Sequence, residues 1–214
     1  MPCEDGTIFP LVLILAVVLG LPGDLSADNS AGIITKVRGQ VTARKTGDDS
    51  IATLRVGDNI SVGQIVQSAK GSAAQVVFSD DSVAILLSDA TLQINQYGYS
   101  AVDNRRTAVI KVTSGCARFV LYKMRNSESR FTAETGQASV SAGIGDFFVC
   151  ASPAATEIAN IGSAISVQNS SHLTIGRVGL GANQKSVVLD KTPPSQPATL
   201  TPEQRRKYLK DAEI

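Results

Sequence analysis

Side chains that could serve as nucleophile, base or metal ligand are few in this chain and lie far apart in the sequence. His172 is the single histidine, and the polar run Gln168 to Ser171 precedes it. A Ser/His/acid or Cys/His site would require this imidazole as its base. The polar neighbours favour a solvated loop histidine instead. We therefore predict that the protein has no catalytic residue and is not an enzyme.

Two pairs of like charges are the remaining candidates for a small binding site. Asp80-Asp81 would suit a cation, but the Asp-x-Asp-x-Asp spacing of a calcium loop is missing, which favours a turn. Arg105-Arg106 would suit an anion, and a solvated hairpin loop is the simpler interpretation. The chain also lacks a Cys-x-x-Cys pair and any glycine motif for nucleotide phosphates. The sequence thus predicts no metal and no cofactor.

An export signal is predicted at the N-terminus. Ile8 to Leu21 is an uncharged apolar run, shorter than the roughly 20 residues that cross a bilayer. Small residues follow it, so residues 1–27 are the predicted signal peptide, with cleavage after Ala27 and a site near Gly23 as the alternative. Glu4 and Asp5 stand where a signal usually has basic residues, so an uncleaved anchor is the alternative. We expect a periplasmic or secreted protein that touches the membrane only if this segment is retained.

Export also determines the interpretation of the cysteines, which are Cys3, Cys116 and Cys150. Cys3 would leave with the signal. The remaining even pair, Cys116 and Cys150, is a candidate disulfide in an oxidising compartment. Two buried free thiols are the alternative.

Residues 28–190 are predicted to form one all-β domain. Short runs rich in Val and Ile alternate with Gly, Asp, Asn and Ser, most clearly from Leu54 to Ile94, which is typical of strands and tight turns. A glycine between two apolar runs recurs at Gly39, Gly115 and Gly162, but its spacing is too irregular for a strict repeat. The prediction is an irregular β-solenoid-like or rolled sheet of short strands.

Two segments of this domain carry more specific expectations. Val83 to Leu87 is apolar at every position, which predicts a strand covered on both faces. The polar segment Gln96 to Arg106 predicts an exposed loop or weak strand that presents Tyr97 and Tyr99.

A proline-rich linker and a short basic helix are predicted for residues 191–214. Thr201, Pro202 and Gln204 have the spacing of the N-cap, N1 and N3 positions of a capping box. Such a short helix is marginal in isolation, so a solvated, fraying tail is favoured, with a docked helix or a contact with an anionic surface as alternatives. Its basic residues are Arg205, Arg206, Lys207 and Lys210. Before them, lysine and arginine are scattered and the net charge is only +1, which argues against a nucleic-acid partner.

Taken together, these residues resemble the FecR domain. One feature departs from the family pattern, because its late Val-Arg-Gly-Thr-x-Phe-x-Val motif is replaced by Gly143 to Val149, without the Arg and Thr. Any role of those two residues therefore does not carry over. The matching segments are Gly32 to Val41, Leu54 to Gly63, Val77 to Ser82, Leu86 to Ile94, Gly115 to Phe119 and Val178 to Leu180.

The resemblance implies an all-β, solenoid-like periplasmic domain that works through protein contacts. The best-known members relay the state of an outer-membrane transporter to a sigma factor, through a cytoplasmic segment that precedes the membrane span. Only seven residues precede the apolar run here, so we expect a stand-alone form without its own anti-sigma segment. The predicted function is a non-catalytic interaction module of the cell envelope, regulatory or scaffolding. A module that binds glycan or peptidoglycan through Tyr97 and Tyr99 is the alternative.

Overall fold

The computed structural model describes residues 30–171 and 173–214. The predicted signal peptide, Cys3 and His172 lie outside these residues. In chain order the elements are β1 Ser30–Arg38, β2 Val41–Lys45, β3 Ala52–Thr53, β4 Asn59–Ser61, β5 Gln64–Ser68, β6 Ala73–Phe78, β7 Val83–Leu86, β8 Thr91–Ser100, β9 Arg105–Leu121, β10 Arg130–Glu134, β11 Ala138–Ala142, β12 Gly145–Ala151, β13 Ala155–Asn160, β14 Ile165–Asn169, β15 Arg177–Leu180, β16 Gln184–Leu189, β17 Ala198–Thr199 and α1 Pro202–Asp211.

The strands form two rows that share β9. Sheet A has the order β4-β1-β6-β7-β9-β12-β13-β16-β17. Sheet B has the order β3-β2-β5-β8-β9-β10-β11-β14-β15. Neighbours are antiparallel except for β9 and β10, which are parallel. The all-β prediction with a short C-terminal helix is confirmed.

The glycine-centred pattern marks places where the chain passes from one sheet to the other. Gly39 lies between β1 of sheet A and β2 of sheet B, and Gly162 lies between β13 and β14. Gly115 lies within β9, where the strand leaves its sheet B partners and joins sheet A. Its φ is +70° and an added Cβ would lie 2.5 Å from the carbonyl oxygen of Asp89, so only glycine fits this crossing.

The main core fills the space between the two sheets. Most of it is Ala, Val, Ile and Leu, supplied by the inner faces of both sheets. Phe119 and Phe147 of sheet A meet Phe131 of sheet B at ring-centroid distances of 5.3 and 6.4 Å. Burial of each such side chain is worth about 1.5–3 kcal/mol, and these rings are among the largest fully buried side chains of the protein.

A second, smaller core lies on the outer face of sheet A, under α1. The helix begins as the sequence predicted, with Pro202 at its start and a complete capping box between Thr201 and Gln204. The favoured prediction of a fraying tail is wrong, because the helix docks on the sheet through Tyr208. This docking confirms the prediction that Val83 to Leu87 is covered on both faces: Ile85 and Leu87 are buried on the helix side.

No helix in the described part of the chain is long and apolar enough to cross a membrane.

Candidate interaction surface

Arg106 and Asp80, one residue from each of the two charged pairs considered as binding sites, form a fully buried ion pair. The Arg106 guanidinium lies 2.5 Å from the Asp80 carboxylate, and both side chains have no exposed surface. Arg106 also donates hydrogen bonds to Ser82 Oγ at 2.6 Å and to the Gly143 carbonyl at 3.0 Å. Its Nε has no hydrogen-bond partner among the described residues. The Arg106 charge is therefore neutralised internally by Asp80.

The acidic half of this pair is held by three further donors. Tyr97 donates its hydroxyl to Asp80 Oδ1 at 2.7 Å, and Ser82 donates its amide and hydroxyl to the same carboxylate at 3.2 and 2.9 Å. The Tyr97 ring stacks on Phe78 at 5.0 Å. Burial, together with the Asp80 charge, raises the pKa of Tyr97 well above its usual value. Asp80 shapes a turn, as expected. Tyr97 has a structural role, because its hydroxyl binds Asp80 and its ring packs against Phe78.

The prediction for Arg105-Arg106 is right for the first residue and wrong for the second. Arg105 is half exposed and forms a surface ion pair with Glu128 at 3.2 Å, whereas Arg106 points into the core. The signal was present in the sequence as alternation: Arg106 is in phase with the buried Ala108 and Ile110 of β9. The prediction of an exposed loop or weak strand for Gln96 to Arg106 does not use this phase, whereas in the structure Arg106 belongs to β9.

The segment that departs from the family motif is held by two arginines from β9. Arg106 contacts the Gly143 carbonyl, while Arg118 binds the Asp146 carboxylate through two hydrogen bonds of 2.8 Å each. Such paired hydrogen bonds fix the orientation of both groups. Donation of these hydrogen bonds to Asp146 also raises the pKa of Arg118. The start of β12 is thus held by charged groups on both sides of sheet A.

The outer face of sheet A beneath α1, which we call the α1 face, consists of Ile85, Leu87, Phe148 and Ala159. These side chains are 7, 8, 0 and 0% exposed. The Tyr208 ring of α1 lies 4.9 Å from the Phe148 ring, and its hydroxyl donates to the Glu157 carboxylate. Burial and this hydrogen bond raise the pKa of Tyr208. An aromatic side chain therefore anchors the middle of the helix.

Polar contacts hold the two ends of the helix. Near its start, Arg205 Nε donates to Asn183 Oδ1 at 3.0 Å. Beyond its end, the β1 side chains of Arg38 and Lys36 donate to the carbonyls of Glu213 and Ile214 at 2.7 and 3.5 Å. Cations next to the carbonyls at a helix C-terminus interact favourably with its dipole. The helix therefore spans sheet A from the loop before β16 to β1.

The structure brings Cys116 and Cys150 together at the border of the α1 face. They lie opposite each other on β9 and β12, with Cα atoms 4.0 Å apart, and face a cavity of about 410 Å³ beside Tyr208 and Glu157.

Two large apolar side chains are exposed elsewhere, just before β15 at one edge of sheet B. Leu173 and Ile175 are 94 and 92% exposed. Within residues 30–171 and 173–214, no group of three or more His, Cys, Asp or Glu is arranged to hold a metal ion.

The fold defines a class of protein: an all-β domain of two sheets that share one crossing strand. Residues 64–176 match the profile of the family described as FecR protein. This match covers more than half of the chain, and the protein belongs to the FecR family. The sheets continue beyond the match on both sides, through β1 to β4 and through β15 to β17.

Two crystal structures of a candidate anti-sigma factor from Parabacteroides distasonis ATCC 8503 have a similar fold. In both comparisons the TM-score is 0.53, the identity is 16%, and the similarity covers 68% of this chain. It covers 63 and 64% of the two matched chains, so this chain spans less than two thirds of their length. No curated protein matches the sequence.

Proposed function

We propose that this protein is a non-catalytic, regulatory protein-interaction module of the cell envelope. The FecR family match across the central strands carries the proposal. The fold shared with a candidate anti-sigma factor supports it, since such a protein acts through a protein partner. The charged groups that sequence analysis considered for binding, Asp80 and Arg106, are paired with each other in the core, which leaves the outer surfaces of the sheets as the region for contacts.

The proposed location is outside the cytoplasm, and the proposed chemistry of Cys116 and Cys150 follows from it. Their placement opposite each other on neighbouring strands supports a disulfide in the exported protein.

Peptide mapping of protein recovered from the envelope under non-reducing conditions should return the two cysteines in one linked peptide pair. Recovery of both as free thiols, after trapping with an alkylating reagent, would contradict this part of the proposal.

Photo-crosslinking in the living cell tests the main proposal. A photoreactive residue is introduced one position at a time at exposed sites in different parts of the surface. These sites are Val102, Tyr122, Leu173, Ile175 and, beside the α1 face, Ser88. We expect one envelope protein to be crosslinked reproducibly from one of these regions and not from the others. A crosslink pattern that matches the uncrosslinked background at every position would refute a protein-interaction role.

A transcript comparison separates regulation from scaffolding. Deletion of the gene should change a defined set of transcripts, and the intact gene should restore them. Unchanged transcripts with weakened envelope integrity would instead indicate a scaffold. A glycan or peptidoglycan ligand is the outcome if the protein is retained on purified cell wall; the packing of Tyr97 against Phe78 leaves Tyr99 as the aromatic residue to replace in that assay.

A further inference from the structure

The contact between α1 and sheet A is unequal on its two sides. The residues of the α1 face are almost completely buried, yet none of the residues Pro202–Asp211 is buried. The two residues that are buried with the helix, Leu200 and Ala212, lie just outside its ends. Tyr208, Leu209 and Ile214 pack on the same cluster but are only partly buried. The cover is therefore held by these side chains, by the two buried residues outside its ends and by polar contacts.

The segment that leads to α1 is joined to the sheet by local hydrogen bonds, among them those between Ser195 and Val187 and from the Leu200 amide to the Asn183 carbonyl. The strand that precedes α1, β17, pairs only two residues with β16. Between β16 and β17 the chain contains Pro193, Pro194 and Pro197, which favour an extended segment. A helix of ten residues is about 15 Å long and marginal in water without a partner surface. Segments with few buried contacts open locally at a lower free energy than the whole fold.

The α1 face specifies the chemistry of what covers it. Phe148 and Ile85 provide an apolar floor, and the Glu157 carboxylate accepts a hydrogen bond from an aromatic hydroxyl. Lys36 and Arg38 bind the carbonyls of Ile214 and Glu213, which directly follow the C-terminal end of α1. Apolar contact in the middle and cations at the negative end of the dipole fit an amphipathic helix in one direction.

We propose that the α1 face is a helix-docking site that α1 occupies in the resting protein and that an amphipathic helix of a partner protein takes by displacing α1. The partner helix carries an aromatic residue at the position of Tyr208 and ends at Lys36 and Arg38. This inference rests on the proposed function, because it assumes a protein partner. The inference specifies the face on which that partner binds. It also implies that α1 leaves the sheet and becomes exposed to solvent when the partner binds.

Hydrogen exchange of the full chain tests the first requirement, that α1 opens by itself. We expect the amides of Lys207 to Ala212 to exchange at least tenfold faster than those of β9 and β12, under conditions that keep the fold intact. If α1 and β9 exchange at the same rate through global unfolding, α1 is a fixed part of the fold and the proposal is wrong.

A labelled peptide of residues 199–214 tests the second requirement, that the face accepts a helix supplied from outside. In the Thr201→Ala/Gln204→Ala variant of the full chain, the resident helix loses its capping box. Loss of the cap costs about 1 kcal/mol, so the apparent Kd of the peptide should fall about fivefold relative to the wild-type chain, because the competing state is less populated.

A matched control peptide carries Tyr208→Ala and should bind at least tenfold more weakly to the same variant. Equal binding of the labelled peptide to wild type and variant, or crosslinking of the peptide outside β7, β9, β12 and β13, would overturn the proposal.

The outcomes separate the two proposals. If the peptide binds the α1 face but no envelope protein crosslinks in the cell, α1 is exchangeable, but the interaction role fails and with it the displacement of α1 by a partner. If a partner crosslinks from another region while the peptide does not bind, the interaction role stands and the docking site is refuted.

Discussion

Removal of Asp80 should be among the most damaging single changes in this protein. In Asp80→Ala, the Arg106 guanidinium stays in the core without its counterion and keeps only Ser82 Oγ and the Gly143 carbonyl as acceptors. Loss of one partner of a buried ion pair costs about 3–5 kcal/mol, because it leaves an uncompensated buried charge. For a domain of this size that corresponds to a fall in Tm of roughly 6–20 °C.

The opposite change should be milder. In Arg106→Met, the Asp80 carboxylate keeps three donors, the Tyr97 hydroxyl and the amide and hydroxyl of Ser82. A long apolar side chain also retains the contact with Phe131, whose ring lies 5.6 Å from the Arg106 guanidinium. We therefore expect Asp80→Ala to cost more than Arg106→Met, and the double variant to cost less than the sum of the two.

Urea unfolding of the two single variants and the double variant measures this coupling directly. The control is the neighbouring pair Arg105 and Glu128, whose side chains are 47 and 71% exposed; Arg105→Met should cost no more than about 1 kcal/mol. An Asp80→Ala variant within 1 kcal/mol of wild type, or strictly additive effects, would show that the buried pair does not act as a unit.

Three further predictions concern the sheet crossing, the α1 face and the tyrosines. Gly115→Ala should destabilise the fold by at least about 2 kcal/mol in thermal unfolding, because the added Cβ meets the Asp89 carbonyl at 2.5 Å. The control Gly71→Ala has a similar φ of +73° but open space around the added Cβ, so it should cost only about 1 kcal/mol. Equal costs of the two substitutions would exclude the steric cause. Phe148→Ala should lower the free energy of unfolding by about 3–5 kcal/mol and reduce the protection of the α1 amides against hydrogen exchange. The control Arg206→Ala, on the exposed side of α1, should change stability by less than about 0.5 kcal/mol. Unchanged protection of α1 in Phe148→Ala would contradict the docking geometry. The raised pKa values of Tyr97 and Tyr208 mean that the folded state keeps protons which the unfolded state loses near pH 10, so stability should fall as pH rises above about 10, and Tyr208→Phe should reduce that fall; an unchanged slope would contradict the assignment.

Much of the fold was accessible from local patterns in the sequence. Strand–turn punctuation and two-residue alternation identified the all-β class. In β9 this alternation separates Ala117, Phe119 and Leu121, which lie in the core, from Cys116 and Arg118 on the other side. The capping box of α1 was also identified, because the N-cap and N3 side chains bond to backbone amides only three residues away. These features depend on neighbours in the chain.

The candidate site was harder to predict for a physical reason. The partners of Arg106 and Tyr208 are 26 and 51 residues distant in the sequence, and no local pattern states which strands will be adjacent. The apolar segment Val83 to Leu87 indicated that both of its faces are covered by other parts of the protein. It did not indicate that α1 covers one of them.

The sequence by itself determined the β class, the glycine positions between apolar runs, the helix start and the family. The tertiary structure alone decided that those glycines are crossings between two sheets, that Arg106 is buried against Asp80, and that α1 lies on sheet A instead of fraying in solvent. The reason is that propensity, alternation and capping act over a few residues, whereas burial of a charge or docking of a short helix depends on the surface that distant segments build together.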